Sequence, residues 1–289
     1  MKLEDNKLAI IVCTHKKTDN IKTQSPYLPI HLGKALHPEV ELDFIGDDTG
    51  DNISEKNSSY NELTGIYWAW KNLPNTEYIG VCHYRRYFDV EINSDKIDAL
   101  IGNNDILTVK AMWRGHPAAN FHELTHSTTV EDAWIFLDTV MMLYPKYTDK
   151  IKQYFFDSRF FYPFNMFIMR RELFNEYCEF LFPLLTETEK RIKNHEYTRQ
   201  RRCLGYCGEW CLGLFMMIKG LKHKELPWIL TENLPHTVKP VVFPLKHRIK
   251  RKIYTWIEKN KEHKHFDLFV PDDIASGLRN DGIILSHIK

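Results

Sequence analysis

The stretch "YIGVCHYRRYFDV", residues 78–90, ends an apolar run on His83, Tyr84, Arg85, Arg86 and Tyr87. A charged side chain is costly to bury without a partner. Two arginines and a histidine at the end of an apolar strand therefore reach solvent or meet an anion. Arginine binds phosphate oxygens through a planar fork, and lysine adds a point charge. Three further polar clusters follow apolar runs: Thr14-His15-Lys16-Lys17, the run Asp47 to Asn52, and Lys110 with Arg114 and His116. Taken singly, the first reads as a solvated loop and the second as a turn of turn-forming residues. At the carboxyl ends of parallel strands the four would form one rim of cations and a few carboxylates, suited to a small molecule bearing a diphosphate.

Candidate general bases are Glu209, Glu62, Asp89 and the histidines. Glu209 stands in "GYCGEWCLGLF", an otherwise apolar helical stretch, where a carboxylate can gain proton affinity and act as a base. The alternative for Glu209 is a buried structural ion pair. His122-Glu123-Leu124-Thr125-His126 matches the pattern HExxH, which would make His122 and His126 zinc ligands of a hydrolase. That reading needs a continuous helix and a third ligand. Pro117 upstream and Ser127-Thr128-Thr129 downstream predict a loop or a single turn instead. No P-loop, GxGxxG or GxSxG pattern occurs, and no nucleic-acid module is recognisable.

The elements that must position these residues read as an open α/β sheet. "KLAIIVCTH", "VELDFIGDD", "EYIGVCHYRRYF" and "NDILTVKAM" are expected strands, and a helix is expected across residues 52–73, capped by Asn57 or Ser58. Further helices are expected over 131–144, from about 171, and over 206–219 with Gly220 as C-cap; strands are expected at 164–169 and in "LPHTVKPVVF". The domain reading is one α/β domain over 1–243 and a C-terminal helical appendage over 244–289. In residues 246–264 of that tail, Ile249, Ile253, Trp256 and Ile257 form a helical stripe among cations. Such a helix either packs on the domain or lies on an anionic membrane surface.

With 289 residues, 43% hydrophobic and 27% charged, the chain can bury a sizeable core. A net charge of +1 makes no strong claim on nucleic acid for the whole molecule, so any polyanion reading rests on a local patch. Cys203, Cys207 and Cys211 share one helical stripe, and the six cysteines read as buried, reduced thiols of a cytoplasmic protein. No run approaches a membrane span or a signal peptide.

Two blocks carry a resemblance. The first is Asp47-Asp48-Thr49-Gly50-Asp51-Asn52-Ile53-Ser54 with Asn57, Tyr60, Glu62, Leu63, Thr64, Tyr67, Trp68, Trp70, Lys71 and Asn72. The second is Gly80 with His83, Tyr84, Arg85, Arg86, Tyr87 and Phe88. Over roughly residues 7–243 the chain resembles bacterial capsular and exopolysaccharide glycosyltransferases grouped as a domain of unknown function. The resemblance implies a GT-A-like fold, a mostly parallel central sheet flanked by helices, and transfer from a nucleotide-diphosphate sugar, with UDP-galactose in pyranose or furanose form as the family-flavoured donor. The acceptor would be a polysaccharide or lipid-linked glycan at the inner face of the membrane. On this reading Thr14, His15, Lys16, Asp47 and Asp48 take the donor base and ribose, with Asn57, Tyr60 and Asn61 near the ribose. Arg85 and Arg86, assisted by His83, take the diphosphate, and Glu209 activates the acceptor. The Asp-x-Asp that holds Mn²⁺ or Mg²⁺ in typical GT-A enzymes is absent, Asp89-Val90-Glu91 being the nearest sequence. The expectation is therefore no required cofactor, with Mn²⁺ or Mg²⁺ as the alternative. A non-catalytic module binding a nucleotide or anionic sugar is the rival function.

Overall fold

The computed structural model describes residues 7–73, 76–113, 118–193, 195–231, 249–250, 252–254, 256–257 and 268–288. The expected strand in "LPHTVKPVVF", Arg114, His116 and residues 258–267 lie outside these residues. The chain forms two compact units. The first comprises Met1–Ala111, Tyr162–Phe182 and Gly220–Val241; the second comprises Met112–Phe161, Pro183–Lys219 and Val242–Lys289. Both units draw on the stretch before residue 243.

The first unit holds a nine-stranded sheet among the described residues. Its strands are β1 (Leu8–Thr14), β2 (Tyr27–His31), β3 (Ile45–Gly46), β4 (Tyr78–His83), β5 (Arg86–Phe88), β6 (Ile106–Val109), β9 (Phe167–Arg170), β10 (His223–Leu226) and β11 (Trp228–Leu230). The order is β10-β6-β9-β4-β1-β2-β3, with β5 paired to β4 and β11 to β5. β1 runs parallel to β2 and β4, β2 to β3, and β6 to β10, while β9 is antiparallel to β4 and β6. The carboxyl ends of β1, β2, β3, β4 and β6 therefore share one rim with the amino end of β9. Thr14, Asp47, His83 and Lys110, one from each expected polar cluster, all stand at this rim.

β1 is buried on both faces, as a central parallel strand must be. Its even positions Leu8, Ile10 and Val12 join Tyr78, Cys82, Tyr84, Tyr87, Phe88 and Ile168 in one core, with Ile97 and Ile101 of α3 (Ile97–Ile101). On the other face α2 (Leu63–Asn72) packs closely, because a Cβ on Gly65 would come within 2.7 Å of Leu32 Cδ2 and 3.3 Å of Cys13 Sγ. Burying these side chains is the dominant favourable term, roughly 1.5–3 kcal/mol for each large one.

Three expectations are corrected here. "EYIGVCHYRRYF" is a hairpin: β4 ends at His83, the chain turns at Tyr84-Arg85, and β5 returns antiparallel with His83 opposite Arg86. The helix expected over 52–73 breaks at Asn61, whose φ is 51°, into a turn, the short α1 (Asn57–Tyr60) and α2. The second strand is Tyr27–His31; only Ile45–Gly46 of "VELDFIGDD" is extended and paired. Pro29 masks β2 in the sequence, since proline donates no ladder hydrogen bond.

The second unit contains the ribbon of β7 (Met112–Trp113) with β8 (Phe160–Phe161), and the helices α4 (Ala119–Ser127), α5 (Val130–Leu143), α6 (Thr148–Phe156), α8 (Thr198–Arg201) and α9 (Cys203–Lys219). The Thr129 side chain caps α5 by accepting from Asp132 N at 3.1 Å. Gly220 has φ 68° and ends α9 as expected. α7 (Arg171–Arg191) begins in the first unit and ends in the second. Asp138, fully buried on α5, accepts from Arg191 Nη2 at 2.6 Å and from His287 N at 2.7 Å, which fixes the chain near its C-terminus. All six cysteines are free and buried, and burial pushes the Cys211 and Cys207 thiols up.

Candidate functional site

The β4–β5 turn gathers cations around two aromatic rings. Tyr84 is only 5% exposed. His15 meets its ring edge-on at 5.3 Å, Lys16 Nζ lies 5.3 Å from its centroid, and the Arg85 guanidinium lies 5.6 Å away. Thr14 sets the β1 end of this arrangement: its hydroxyl donates to Lys16 O at 2.7 Å, a tight turn that leaves His15 and Lys16 exposed. The Arg86 guanidinium stacks 4.3 Å from the Phe164 ring. Cation–aromatic contacts orient these groups. Four basic side chains from β1 and the hairpin thus converge on one rim.

The acidic cluster does something different. Asp47 is fully buried and accepts from Gly33 N at 3.0 Å, Lys34 N at 3.2 Å, Thr64 Oγ1 at 2.6 Å and the Ser54 hydroxyl. Its carboxylate joins the β2 loop, the following turn and α2, so it shapes the rim rather than facing a ligand. Gly33 has φ 66°, and a Cβ there would come within 2.8 Å of Asn57 Oδ1. Asn57 Nδ2 donates to Asn61 O and Thr64 Oγ1, both at 2.8 Å, holding the break before α2. Tyr60 is 1% exposed and belongs to the core. Asp48 is exposed, and Asn61 is half-buried.

The loop between is tied down by α2. Trp68 Nε1 donates to Thr49 Oγ1 at 2.8 Å, Tyr67 OH to Asp51 Oδ1 at 3.1 Å, and Asn72 Nδ2 to Asp51 O at 2.7 Å. The first sequence block is therefore a loop and the helix that fastens it.

His83 closes β4. Its Nε2–H donates to Phe164 O at 2.6 Å, and burial, reinforced by Arg86 and Arg85, holds its proton affinity below the ordinary histidine value. Glu62 opposes that shift, and so does the Phe164 bond. Phe164 and Asn165 both have positive φ, 74° and 49°, costly backbone for bulky residues. Asn165 is fully buried and donates from Nδ2 to Glu62 Oε1 at 2.9 Å. Sequence reasoning missed Phe164 and Asn165. Neither sits in a recognisable pattern, and Asn165's partner is 103 residues away in the chain.

Other candidates belong to the second unit. Glu209 is half-buried on α9. His122 and His126 lie on the continuous helix α4, correcting the expected loop, with ring centroids 4.2 Å apart. His126 Nδ1 is 2.8 Å from His122 O. No third ligand joins them: among the described residues no three His, Cys, Asp or Glu side chains group to hold a metal ion. At the rim the Asp47 carboxylate is already taken by four donors. Among the described residues no helix is long and apolar enough to cross a membrane.

Residues 9–220 match the family described as Domain of unknown function (DUF4422). Among solved structures, the chain is similar to the apo structure of WbbM, a bifunctional glycosyltransferase, at 29% identity and a TM-score of 0.72. The match covers 83% of this chain and 48% of that one, so the chain spans about half the length of WbbM. No curated protein matches the sequence.

Proposed function

From this chain's place in the DUF4422 family, to which it belongs, and from its likeness to part of a bifunctional glycosyltransferase, we propose that it is itself a glycosyltransferase with a GT-A-like fold. The observation that carries the reading is the convergence of Lys16, Arg85, Arg86 and His15 at the carboxyl rim of a mostly parallel sheet. Such a rim suits the diphosphate of a nucleotide sugar, a UDP-sugar by preference and UDP-galactose, pyranose or furanose, as the first donor to try.

In the reaction an acceptor hydroxyl oxygen forms a bond to the anomeric carbon. The bond from that carbon to the diphosphate oxygen breaks, the hydroxyl proton passes to a base, and the nucleoside diphosphate departs with the bonding pair. Arg85 and Arg86 stabilise the charge on that leaving group, the part a divalent cation plays elsewhere. His83, neutral and fastened to Phe164 O, holds the β4 end on which the arginines stand. His15, Lys16 and Asp48 border the nucleoside, and Thr14, Asp47, Asn57, Tyr60 and Asn61 support them. The acceptor proposed is a glycan or lipid-linked glycan of capsular or exopolysaccharide synthesis, met at the cytoplasmic membrane face through the tail stripe.

The test is release of nucleoside diphosphate from a panel of nucleotide sugars with glycan acceptors, alongside thermal stabilisation by the same nucleotides. A ligand at about 100 times its Kd adds roughly 2.7 kcal/mol. Stabilisation with no turnover on any acceptor would make the chain a binding module, and neither effect would remove the reading.

A further inference from the structure

Glu62 is fastened in an unusual way. Its Oε1 accepts from Asn165 Nδ2 at 2.9 Å, and among the described residues Oε2 accepts no hydrogen bond. Asn165 is fully buried, its own Oδ1 is without a hydrogen-bond partner there, and its backbone sits at φ 49° directly after Phe164 at φ 74°. An unsatisfied buried amide oxygen and two strained residues are costs that persist only where the surroundings enforce them, and they cluster at functional sites. What the fold obtains for them is one carboxylate held in one orientation at the rim. Phe164 also holds the cationic side of the site, since its carbonyl accepts from His83 Nε2–H and its ring carries Arg86.

A carboxylate only accepts hydrogen bonds, and neutral His83, with Nε2–H given to Phe164 O, offers only its Nδ1 lone pair. Both groups need donors. A diphosphate has none and is repelled by Glu62, so the anion belongs with the arginines and the carboxylate with the hydroxyl-bearing part of the same ligand. We propose that Glu62, oriented by Asn165, accepts hydrogen bonds from the hydroxyls of a sugar ring in the donor, beside the cations that take its diphosphate. The assignment rests on the nucleotide-sugar reading above. Two rings could supply the hydroxyls, the ribose or the transferred sugar.

Titration of UDP, 2′-deoxyuridine diphosphate and UDP-galactose into wild type, Glu62→Gln and Asn165→Ala separates these. Gln keeps an oxygen for Asn165 and removes the charge. If the ribose is the ligand, wild type prefers UDP to the deoxy compound by about 10-fold or more, and Glu62→Gln loses the preference. If the transferred sugar is the ligand, wild type prefers UDP-galactose to UDP and Glu62→Gln loses that preference, with UDP affinity unchanged. Asn165→Ala gives the same loss in smaller measure; should it fail to fold, Glu62→Gln decides alone. Wild-type preferences retained in Glu62→Gln, or absent from wild type, overturn the proposal while leaving the diphosphate reading in place. Wild type binding none of the three ligands removes both.

Discussion

Thr64 Oγ1 donates to Asp47 Oδ2 at 2.6 Å across 17 residues of chain, and so joins the first turn of α2 to the end of β3. Gly33 N, Lys34 N and Ser54 use the same buried carboxylate. Removing it strands four donors. Asp47→Ala is expected to cost about 2–4 kcal/mol of unfolding free energy, read from urea midpoints at constant slope. Nucleotide affinity of the variant that remains folded should stay close to wild type. Normal stability with lost affinity would return Asp47 to the ligand.

The burial of His83 at the end of β4 gives a pH dependence with a definite sign. Burial, then Arg86 and Arg85, weaken proton binding by the native ring relative to the ordinary value of 6.5, against Glu62 and the Phe164 bond. The unfolded chain therefore takes up this proton first as pH falls. The stability is present above about pH 6.5 and is lost on acidification from there towards the lower native value. His31 shifts the same way, through burial and Lys34. Melting temperature should hold between about pH 8 and 7 and then fall, with a shallower fall in His83→Gln. Equal profiles for wild type and variant would show that His83 is not the group responsible.

Much of this frame was legible in the sequence, and the failures have physical causes. β1, α5, α7 and α9 declare themselves through continuous apolar runs or helical spacing, because β1, α5 and α9 are buried along most of their length and α7 along one face. β2 hid behind Pro29, and the β4–β5 hairpin read as one strand because Tyr84, Tyr87 and Phe88 are as apolar as the strand they reverse against. The rim arginines stood out because charge after an apolar run is unusual. Asn165 did not, because its importance lies in a backbone angle and a partner brought by the fold. Asp47 was legible as part of a motif but not as a hub, since its donors come from three separate segments.

Arg85→Ala and Arg86→Ala should each lower affinity for UDP by about 10- to 100-fold, the range of hydrogen bonds to charged groups. Lysine at either position should recover part of it, because the planar fork is lost while the charge remains. The contacts with Tyr84 and Phe164 are on the turn and at the rim, so both variants should fold. UDP affinity unchanged in both alanine variants would remove the diphosphate assignment.

Transfer should persist in excess EDTA. Asp47 is saturated, Asp51 Oδ1 is engaged by Tyr67 OH, and the described residues gather no set of three ligating side chains. With the arginines neutralising the leaving group, a divalent ion has little charge left to offset. Complete loss of activity, restored by Mn²⁺ or Mg²⁺, would show that exposed carboxylates and the substrate's own phosphates share an ion after all.

The tail supplies the last prediction. Ile249, Ile253, Trp256 and Ile257 are 51%, 51%, 67% and 38% exposed, so the stripe is not spent on the second unit's core. Tyr254, by contrast, turns to the Arg159 guanidinium at 4.8 Å. Lys250 and Lys252 stand exposed beside the stripe. An apolar face with tryptophan and flanking cations suits the headgroup region of an anionic bilayer. Truncating the tail would be a poor test, because Asp138 holds the backbone amides of His287 and Ile288. The double substitution Ile253→Glu with Trp256→Glu leaves those contacts intact. Wild type should co-sediment with anionic vesicles, weakly or not at all with neutral ones, and less as salt rises. The double variant should stay in solution at every salt concentration. Vesicle binding equal in wild type and variant would place the contact elsewhere, and a wild-type dimer that ignores vesicles would assign the stripe to a second copy of the chain.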